Sequence, residues 1–204
     1  MQGFEKVLDG IYRLKIPFDT VYTSVFLLYD NREYTLVDSG ASASDARDYI
    51  EPSLKSLGVR DETLKYIVLS HSHGDHSGGL AELLRIYPKM ELVTSLRALT
   101  ENLLIYPLAG HTEDCIGVLD KRSGTLVTAD GVQGYGVDKF RCTVQNAEKY
   151  VATLEKIRLD QRVKNLLFSH AYEPWNADCA FGSFEKEKCL QASLDYIINK
   201  EQKK

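Results

Sequence analysis

The chain has 204 residues, of which 44% are hydrophobic and 26% are charged, a composition that suits one domain over residues 1–204 with a substantial core. Its net charge of -4 gives no overall attraction to phosphate backbones, so nucleic acid is disfavoured as a partner. The N-terminus does not resemble a secretory signal, and no apolar run is long enough to cross a bilayer. We therefore predict a cytoplasmic protein without membrane contact.

The first third of the chain is predicted to form strands and then a helix. Short apolar runs at 10–16, 23–30 and 34–40 are separated by turn residues, which is typical of antiparallel strands. Apolar residues then recur at helical spacing over 43–57. The run at 64–70, "LKYIVLS", is typical of a fully buried strand, and it leads directly into the sequence "HSHGDHSGG".

The remainder of the chain is predicted to be a second β-rich half with helices. A helix is expected to begin just after the histidine-rich loop and to end at Pro88. The further strand candidates are 90–95, 102–108, 115–120, 124–130 and 163–170, and the further helix candidates are 146–159 and 184–200. The pattern as a whole predicts an α/β fold.

The histidine-rich loop contains four residues of metal-ligand type, three histidines and one aspartate, within six positions. His71 and His73 are one residue apart, so in an extended loop they can converge on one ion. Asp75 and His76 lie at the start of the next helix and would face a second ion. Imidazole and carboxylate suit zinc, and also iron or manganese, whereas the chain has no C-x-x-C pair for a structural thiolate site.

Three further ligand-type residues follow predicted strands elsewhere in the chain. His111, Asp130 and His170 each lie where a buried strand is expected to emerge into a loop, which is where α/β folds usually assemble their sites. A single histidine in such a position is more often an ordinary polar residue than a ligand. All five histidines of the chain, however, are accounted for by one metal site.

These motifs together resemble the metallo-β-lactamase superfamily. The H-x-H-x-D-H signature is present at 71–76, preceded by Ser70 where the family usually has threonine. The other family motifs follow in order along the chain: Asp38 in "LVDSG", Gly110-His111-Thr112, Asp130, and His170 in "FSH". The resemblance therefore covers nearly the whole chain. In motif pattern it is nearest to glyoxalase II-like hydrolases, although we do not expect the C-terminal helical region typical of those enzymes.

The resemblance implies a fold, a cofactor and a ligand set. The fold is a four-layered αβ/βα sandwich with two mixed β-sheets flanked by helices. The cofactor is two Zn²⁺ ions, with iron or manganese as alternatives. One ion would be held by His71, His73 and His111, the second by Asp75, His76 and His170, with Asp130 bridging both. A hydroxide between the ions would be the nucleophile, and Asp75 and Asp130 would be catalytic residues through their place in this centre.

Other residues are expected to support the ligands or to contact the substrate. Asp38 and Ser70 would orient the ligand loop through hydrogen bonds, although a buried carboxylate that only caps a turn would give the same pattern at Asp38. Tyr135 would assist an oxyanion or alkoxide as a catalytic residue. Aromatic residues in the loops around the motifs are expected to line the substrate pocket, although ordinary packing is the alternative for each: Phe18, Tyr22, Phe140, Tyr172 and Trp175.

The predicted function is a binuclear metal-dependent hydrolase of small ester-like substrates, with a thioester or a lactone as the leading substrate. The alternatives are a mononuclear Fe(II) sulfur dioxygenase of the same superfamily and a phosphodiesterase or β-lactamase-type hydrolase. A metal-binding module without catalysis is a third class. The expected partner is a small-molecule substrate, and a homodimer is left open.

Overall fold

The computed structural model describes residues 3–136, 144–173 and 175–201. The chain forms two compact units, each with its own sheet. Unit 1 consists of residues 1–95 and 99–101, and unit 2 consists of residues 96–98 and 102–204.

Unit 1 is built on a six-stranded mixed sheet with the strands in chain order. Strands β1 to β4 pair antiparallel, whereas β4, β5 and β6 pair parallel. The strands are β1 (Glu5–Leu8), β2 (Ile11–Phe18), β3 (Val21–Asp30), β4 (Glu33–Val37), β5 (Leu64–Val68) and β6 (Glu91–Val93). Because β5 lies between two parallel neighbours, its carboxyl end opens into a loop beside the end of β4.

The helices of unit 1 follow β4 and β5. The helical segment after β4 consists of α1 (Ala43–Asp45), a π-helical turn (Ala46–Ile50) and α2 (Glu51–Ser56). After β5 come α3 (Gly74–Ser77) and α4 (Leu80–Ile86). These helices and the sheet enclose a core of buried aliphatic residues, including Leu14, Leu27, Leu36, Ile50, Leu54, Ile67 and Leu83.

Unit 2 is built on a five-stranded mixed sheet in the order β11-β10-β9-β8-β7. Its strands are β7 (Leu103–Pro107), β8 (Ile116–Asp120), β9 (Thr125–Ala129), β10 (Asn165–Phe168) and β11 (Cys179–Ala180). Two long helices, α5 (Ala147–Leu159) and α6 (Gly182–Glu201), belong to this unit. They contribute to a second core that includes Leu119, Leu126, Leu154, Ile157, Leu166, Phe168 and Leu190.

The two predicted mixed sheets with flanking helices are confirmed, and the differences from the sequence prediction are local. The short edge strands β1 and β11 were not predicted, because four-residue and two-residue strands carry little periodic signal. Asp75 and His76, expected at the start of a helix, lie within the short helix α3. No helix among the described residues is long and apolar enough to cross a membrane.

Candidate metal centre

The pairing of β4 with β5 brings Asp38 to the histidine-rich loop in unit 1. The two strands are parallel, with Val37 opposite Val68, so their carboxyl ends lie side by side. The residues that follow these ends, Asp38 and Ser70, are therefore neighbours although they are 32 positions apart in the chain.

Asp38 is a buried carboxylate that accepts hydrogen bonds from two parts of the loop. Its Oδ1 accepts from the Ser70 backbone N–H at 2.8 Å. Its Oδ2 accepts from the Ser70 hydroxyl at 2.9 Å and lies 2.7 Å from His76 Nδ1. The Asp38 backbone has a φ of 67°, in the left-handed region that costs a non-glycine residue conformational energy. Asp38 has this conformation at the end of β4, where its carboxylate connects the histidine-rich loop to that strand.

These hydrogen bonds determine which ring nitrogen of two histidines is a lone-pair donor. A carboxylate only accepts, so His76 Nδ1 carries its proton toward Asp38 and Nε2 carries the lone pair. The Ser70 hydroxyl donates to Asp38, so it accepts from His71 Nδ1 at 3.0 Å and leaves the lone pair on His71 Nε2. Both histidines thus have the tautomer needed for metal binding through Nε2.

The ring nitrogens and carboxylate of the loop approach one another within unit 1. His71 Nε2 lies 3.1 Å from His73 Nδ1, and His76 Nε2 lies 3.3 Å from an oxygen of Asp75. His71 and His76 are fully buried, whereas His73 and Asp75 are partly exposed. Lone-pair nitrogens and a carboxylate at such separations are a donor set that suits zinc, iron or manganese.

Two glycines after α3 allow the ligand loop to pack closely against the segment after β4. A Cβ at Gly78 would overlap the carbonyl oxygen of Ala41, and a Cβ at Gly79 would overlap that of Ser39. Ser39 also donates two hydrogen bonds to the carbonyl oxygen of His76, from its N–H at 2.8 Å and from its hydroxyl at 2.7 Å. The loop is therefore held by the bond from a side chain of the loop to Asp38 and by the bonds from Ser39 to its backbone.

In unit 2 the strand directions bring three ligand-type residues to one edge of the sheet. Strands β9 and β10 are parallel, with Ala129 opposite Phe168, so Asp130 and His170 follow neighbouring strand ends. Strand β7 is antiparallel to β8, which is antiparallel to β9, so β7 points the same way as β9. His111, four residues after β7, therefore reaches the same edge.

The carboxylate of Asp130 lies between the two histidines of unit 2. One oxygen, Oδ1, is 3.3 Å from His170 Nε2, and the other, Oδ2, is 3.7 Å from His111 Nε2. All three side chains are buried. A carboxylate with a different oxygen toward each of two imidazoles is compatible with a bridging metal ligand. Oδ2 also accepts a hydrogen bond from Gln133 Nε2 at 3.1 Å.

The aromatic residues near the motifs differ in their surroundings. Tyr135, with a φ of 60°, donates its phenol hydrogen bond to Glu185 of α6 at 2.8 Å. Burial and this hydrogen bond raise the pKa of Tyr135, so the phenol stays protonated as a donor. Its ring stacks on Trp175 at 5.5 Å between centroids, and the His170 ring stacks on Tyr172 at the same distance.

The remaining predicted substrate contacts lie in unit 1 or outside the described residues. Phe18 and Tyr22 lie at the turn between β2 and β3, where the ammonium of Lys15 is 4.6 Å from the centre of the Tyr22 ring. Phe140 lies outside the described residues. The substrate-binding roles of Phe18, Tyr22, Tyr172 and Trp175 remain predictions.

The chain is similar to known proteins in sequence and in fold. Residues 18–98, which contain the histidine-rich loop, match the family model of the metallo-beta-lactamase superfamily. The metallo-beta-lactamase from Pontibacter korlensis aligns over 96% of this chain and 98% of its own, with a TM-score of 0.74 and 15% identity. The enzyme from Erythrobacter litoralis aligns over 96% of both chains, with a TM-score of 0.72 and 14% identity. The chain is therefore similar to the metallo-beta-lactamase superfamily in the sequence of residues 18–98, and to metallo-beta-lactamases in fold over nearly its whole length.

The chain is also similar in sequence to two fungal proteins. The atrochrysone carboxyl ACP thioesterase of Claviceps purpurea (strain 20.1) is 25% identical over 158 residues, which is 69% of this chain and 48% of that protein. The lactamase-like protein notP of Aspergillus sp. (strain MF297-2) is 27% identical over 154 residues, which is 67% of this chain and 45% of that protein. The chain spans less than half the length of these two relatives.

Three residues of the candidate site were not singled out from the sequence. They are Ser39, which fixes the backbone of His76, Gln133, which contacts Asp130, and Glu185, which accepts from Tyr135. Ser39 directly follows Asp38 in the "VDSG" motif, which was a usable signal. Gln133 and Glu185 gave none, because their roles depend on contacts that only the folded chain makes.

Proposed function

We propose that this chain is a binuclear metal-dependent hydrolase that cleaves thioesters. In this proposal His71, His73 and His111 hold one ion, Asp75, His76 and His170 hold the second, and Asp130 binds both. Zinc fits the donor set, with iron or manganese as alternatives. When bound, such ions supply an activated water and polarise the acyl carbonyl of the substrate.

The observation that carries the proposal is the Asp130 carboxylate, with one oxygen toward His170 and the other toward His111. With this orientation, each oxygen of the buried carboxylate would be available to a different ion. The tautomers fixed by Asp38 and Ser70 add support, since they leave the Nε2 lone pairs of His71 and His76 as donors. Thioester cleavage is favoured over other ester-like reactions because several relatives are named as thioesterases.

The residues of the chain have distinct roles in this reaction. The histidines and aspartates fix the positions of the ions, and the buried setting of most of them excludes bulk water and strengthens electrostatic interactions. Asp38 and Ser70 keep two histidines in the correct tautomer and orientation. Hydrolysis would add water to the acyl carbonyl and break the C–S bond, which releases the carboxylic acid and the thiol, and fixed groups would stabilise the negative charge that develops on the carbonyl oxygen.

The test is hydrolysis of a panel of substrates by protein of defined metal content. We expect turnover of acyl thioesters by protein with two equivalents of metal, and none by metal-free protein until metal is restored. Lactone, phosphodiester and β-lactam substrates complete the panel. Thioester turnover by metal-free protein would contradict the proposal. Hydrolysis of another substrate class by metal-loaded protein that does not hydrolyse thioesters would contradict it as well.

The same protein distinguishes hydrolysis from oxidation. One equivalent of iron with oxygen uptake in the presence of a persulfide would favour the sulfur dioxygenase instead. Two equivalents of metal without oxygen uptake support the hydrolase. Metal binding without turnover of any substrate would indicate a metal-binding module without catalysis.

A further inference from the structure

Gln133 contacts the candidate bridging residue in unit 2 and lies in the loop that follows β9. Its Nε2 donates to Asp130 Oδ2 at 3.1 Å, and both side chains are close to fully buried, at 6% and 5% exposure. A carboxylate oxygen cannot donate, so the amide nitrogen is the donor in this pair. The interaction is therefore sheltered from competition by solvent.

The backbone of Gln133 is fixed independently of its side chain. Its N–H donates to the hydroxyl of Tyr150, a buried residue of α5, at 3.3 Å. The next residue, Gly134, packs so closely on Phe168 that a Cβ there would lie 2.7 Å from the phenylalanine ring. These contacts fix the backbone from which the side-chain amide of Gln133 reaches Asp130.

The orientation of the Asp130 carboxylate depends on such a contact. The terminal torsion of an aspartate is broad, so the carboxylate plane is not fixed by its own rotamer preference. A hydrogen bond to Oδ2 selects the orientation in which Oδ1 lies toward His170 and Oδ2 toward His111. The hydrogen bond from Gln133 to Oδ2 therefore sets the direction in which each oxygen of Asp130 would face an ion.

We propose that Gln133 is a positioning residue that sets the carboxylate plane of Asp130 for metal bridging. The inference rests on the proposed function, because it needs ions at Asp130. Gln133 itself binds neither ion nor substrate. It acts as a neutral donor, which orients the carboxylate without cancelling the negative charge that attracts the cations.

The test compares Gln133→Met with Gln191→Met. Methionine is similar in length but cannot donate to the carboxylate. Gln191 lies on an exposed part of α6, where its Nε2 donates to Asp195 at 2.7 Å and its Oε1 accepts from Arg158 at 2.7 Å, so it is the control for loss of an amide–carboxylate bond elsewhere in unit 2. Metal-free protein is titrated with Co²⁺ and Zn²⁺, with the Co²⁺ absorption spectrum and calorimetry as readouts.

We expect Gln133→Met to weaken metal binding by roughly 10–100-fold and to change the Co²⁺ spectrum, whereas Gln191→Met leaves both as in wild type. A purely structural Gln133 would lower the unfolding midpoint of the metal-free protein but leave affinity and spectrum unchanged, and that result would overturn the proposal. If wild type binds neither metal, the proposed function fails as well.

A second variant covers the case in which Gln133→Met does not fold. Gln133→Ala removes the donor without adding a charge or a metal-ligand group, so the carboxylate of Asp130 loses its fixed orientation. We expect an altered Co²⁺ spectrum for this variant. A spectrum identical to that of wild type would overturn the proposal.

Discussion

The two units supply ligand-type residues in opposite ways. Unit 1 carries four of them within six consecutive residues, fixed by one carboxylate, Asp38, across a single pair of parallel strands. Unit 2 collects three from separate strand ends, which come together because β7, β9 and β10 point the same way. A local loop can be recognised as a motif, whereas the scattered set depends on the sheet topology.

The largest expected effect, on metal content and turnover, distinguishes a residue that binds both ions from a residue that binds only one. We expect Asp130→Ala to lose both metal equivalents and to reduce thioester turnover by about 10³-fold or more, since metal catalysis contributes several kcal/mol. His73→Ala should lose one equivalent and retain the other. Metal content by elemental analysis measures the difference, and two retained ions in Asp130→Ala would contradict a bridging role.

The next effect tests the support of the ligand loop in unit 1. Asp38→Ala removes the acceptor for Ser70 and for His76, so we expect metal affinity to fall by roughly 10–100-fold. Asp61→Ala is the control, because Asp61 precedes β5 at the end opposite to Ser70 and accepts only from the region of Lys89 in the bonds described. Calorimetric titration with Zn²⁺ compares the two. Equal affinity in both would mean that Asp38 only supports the turn.

A smaller effect is expected at Tyr135, where anchoring and catalysis can be distinguished. Because its hydroxyl donates to Glu185, Tyr135→Phe should reduce the free energy of unfolding by about 1 kcal/mol and change kcat little. Glu185→Gln in a double-mutant cycle measures the coupling of the two residues. A loss of about 10²-fold in kcat without loss of stability would instead support the predicted oxyanion role.

A change at Trp175 tests the predicted substrate contacts. Trp175 is exposed, and its ring stacks on Tyr135. If this pair contacts the acyl group, Trp175→Ala should raise KM several-fold with kcat nearly unchanged, as expected for binding that is uniform between ground and transition states. Steady-state kinetics with the same thioester measures both constants. An unchanged KM would assign Trp175 to packing alone.

The smallest effect concerns a charge pair of unit 2 at the end of α5. Hydrogen bonding to Arg162 lowers the pKa of Asp160 to about 2. A lowered folded-state pKa stabilises the fold above the usual aspartate pKa, and the contribution is lost as pH falls toward 2. Asp160→Asn should cost less than about 1 kcal/mol at neutral pH, with no difference near pH 2. Denaturant unfolding at several pH values checks this, and a pH-independent difference would contradict it.

Much of the fold and most ligand-type residues were predictable, since strand and helix patterns and the order of motifs are local properties of the sequence. The positions of Asp38, Asp130 and His170 at strand ends followed from apolar runs that end at these residues. Side-chain contacts were not predictable in this way. The bond from Gln133 to Asp130 depends on a loop conformation that Tyr150 and Phe168 help to fix, and neither residue lies near it in the chain.

The close packing at Gly78 and Gly79 has a consequence for interpreting mutational scans of this loop. Any side chain there would displace the backbone at Ala41 or Ser39 and shift the neighbouring histidines. Both positions should therefore tolerate no substitution, although neither glycine has a group that could bind a metal. In a survey based on activity alone, these two positions would be indistinguishable from ligands, and only metal content measured together with folding would separate them.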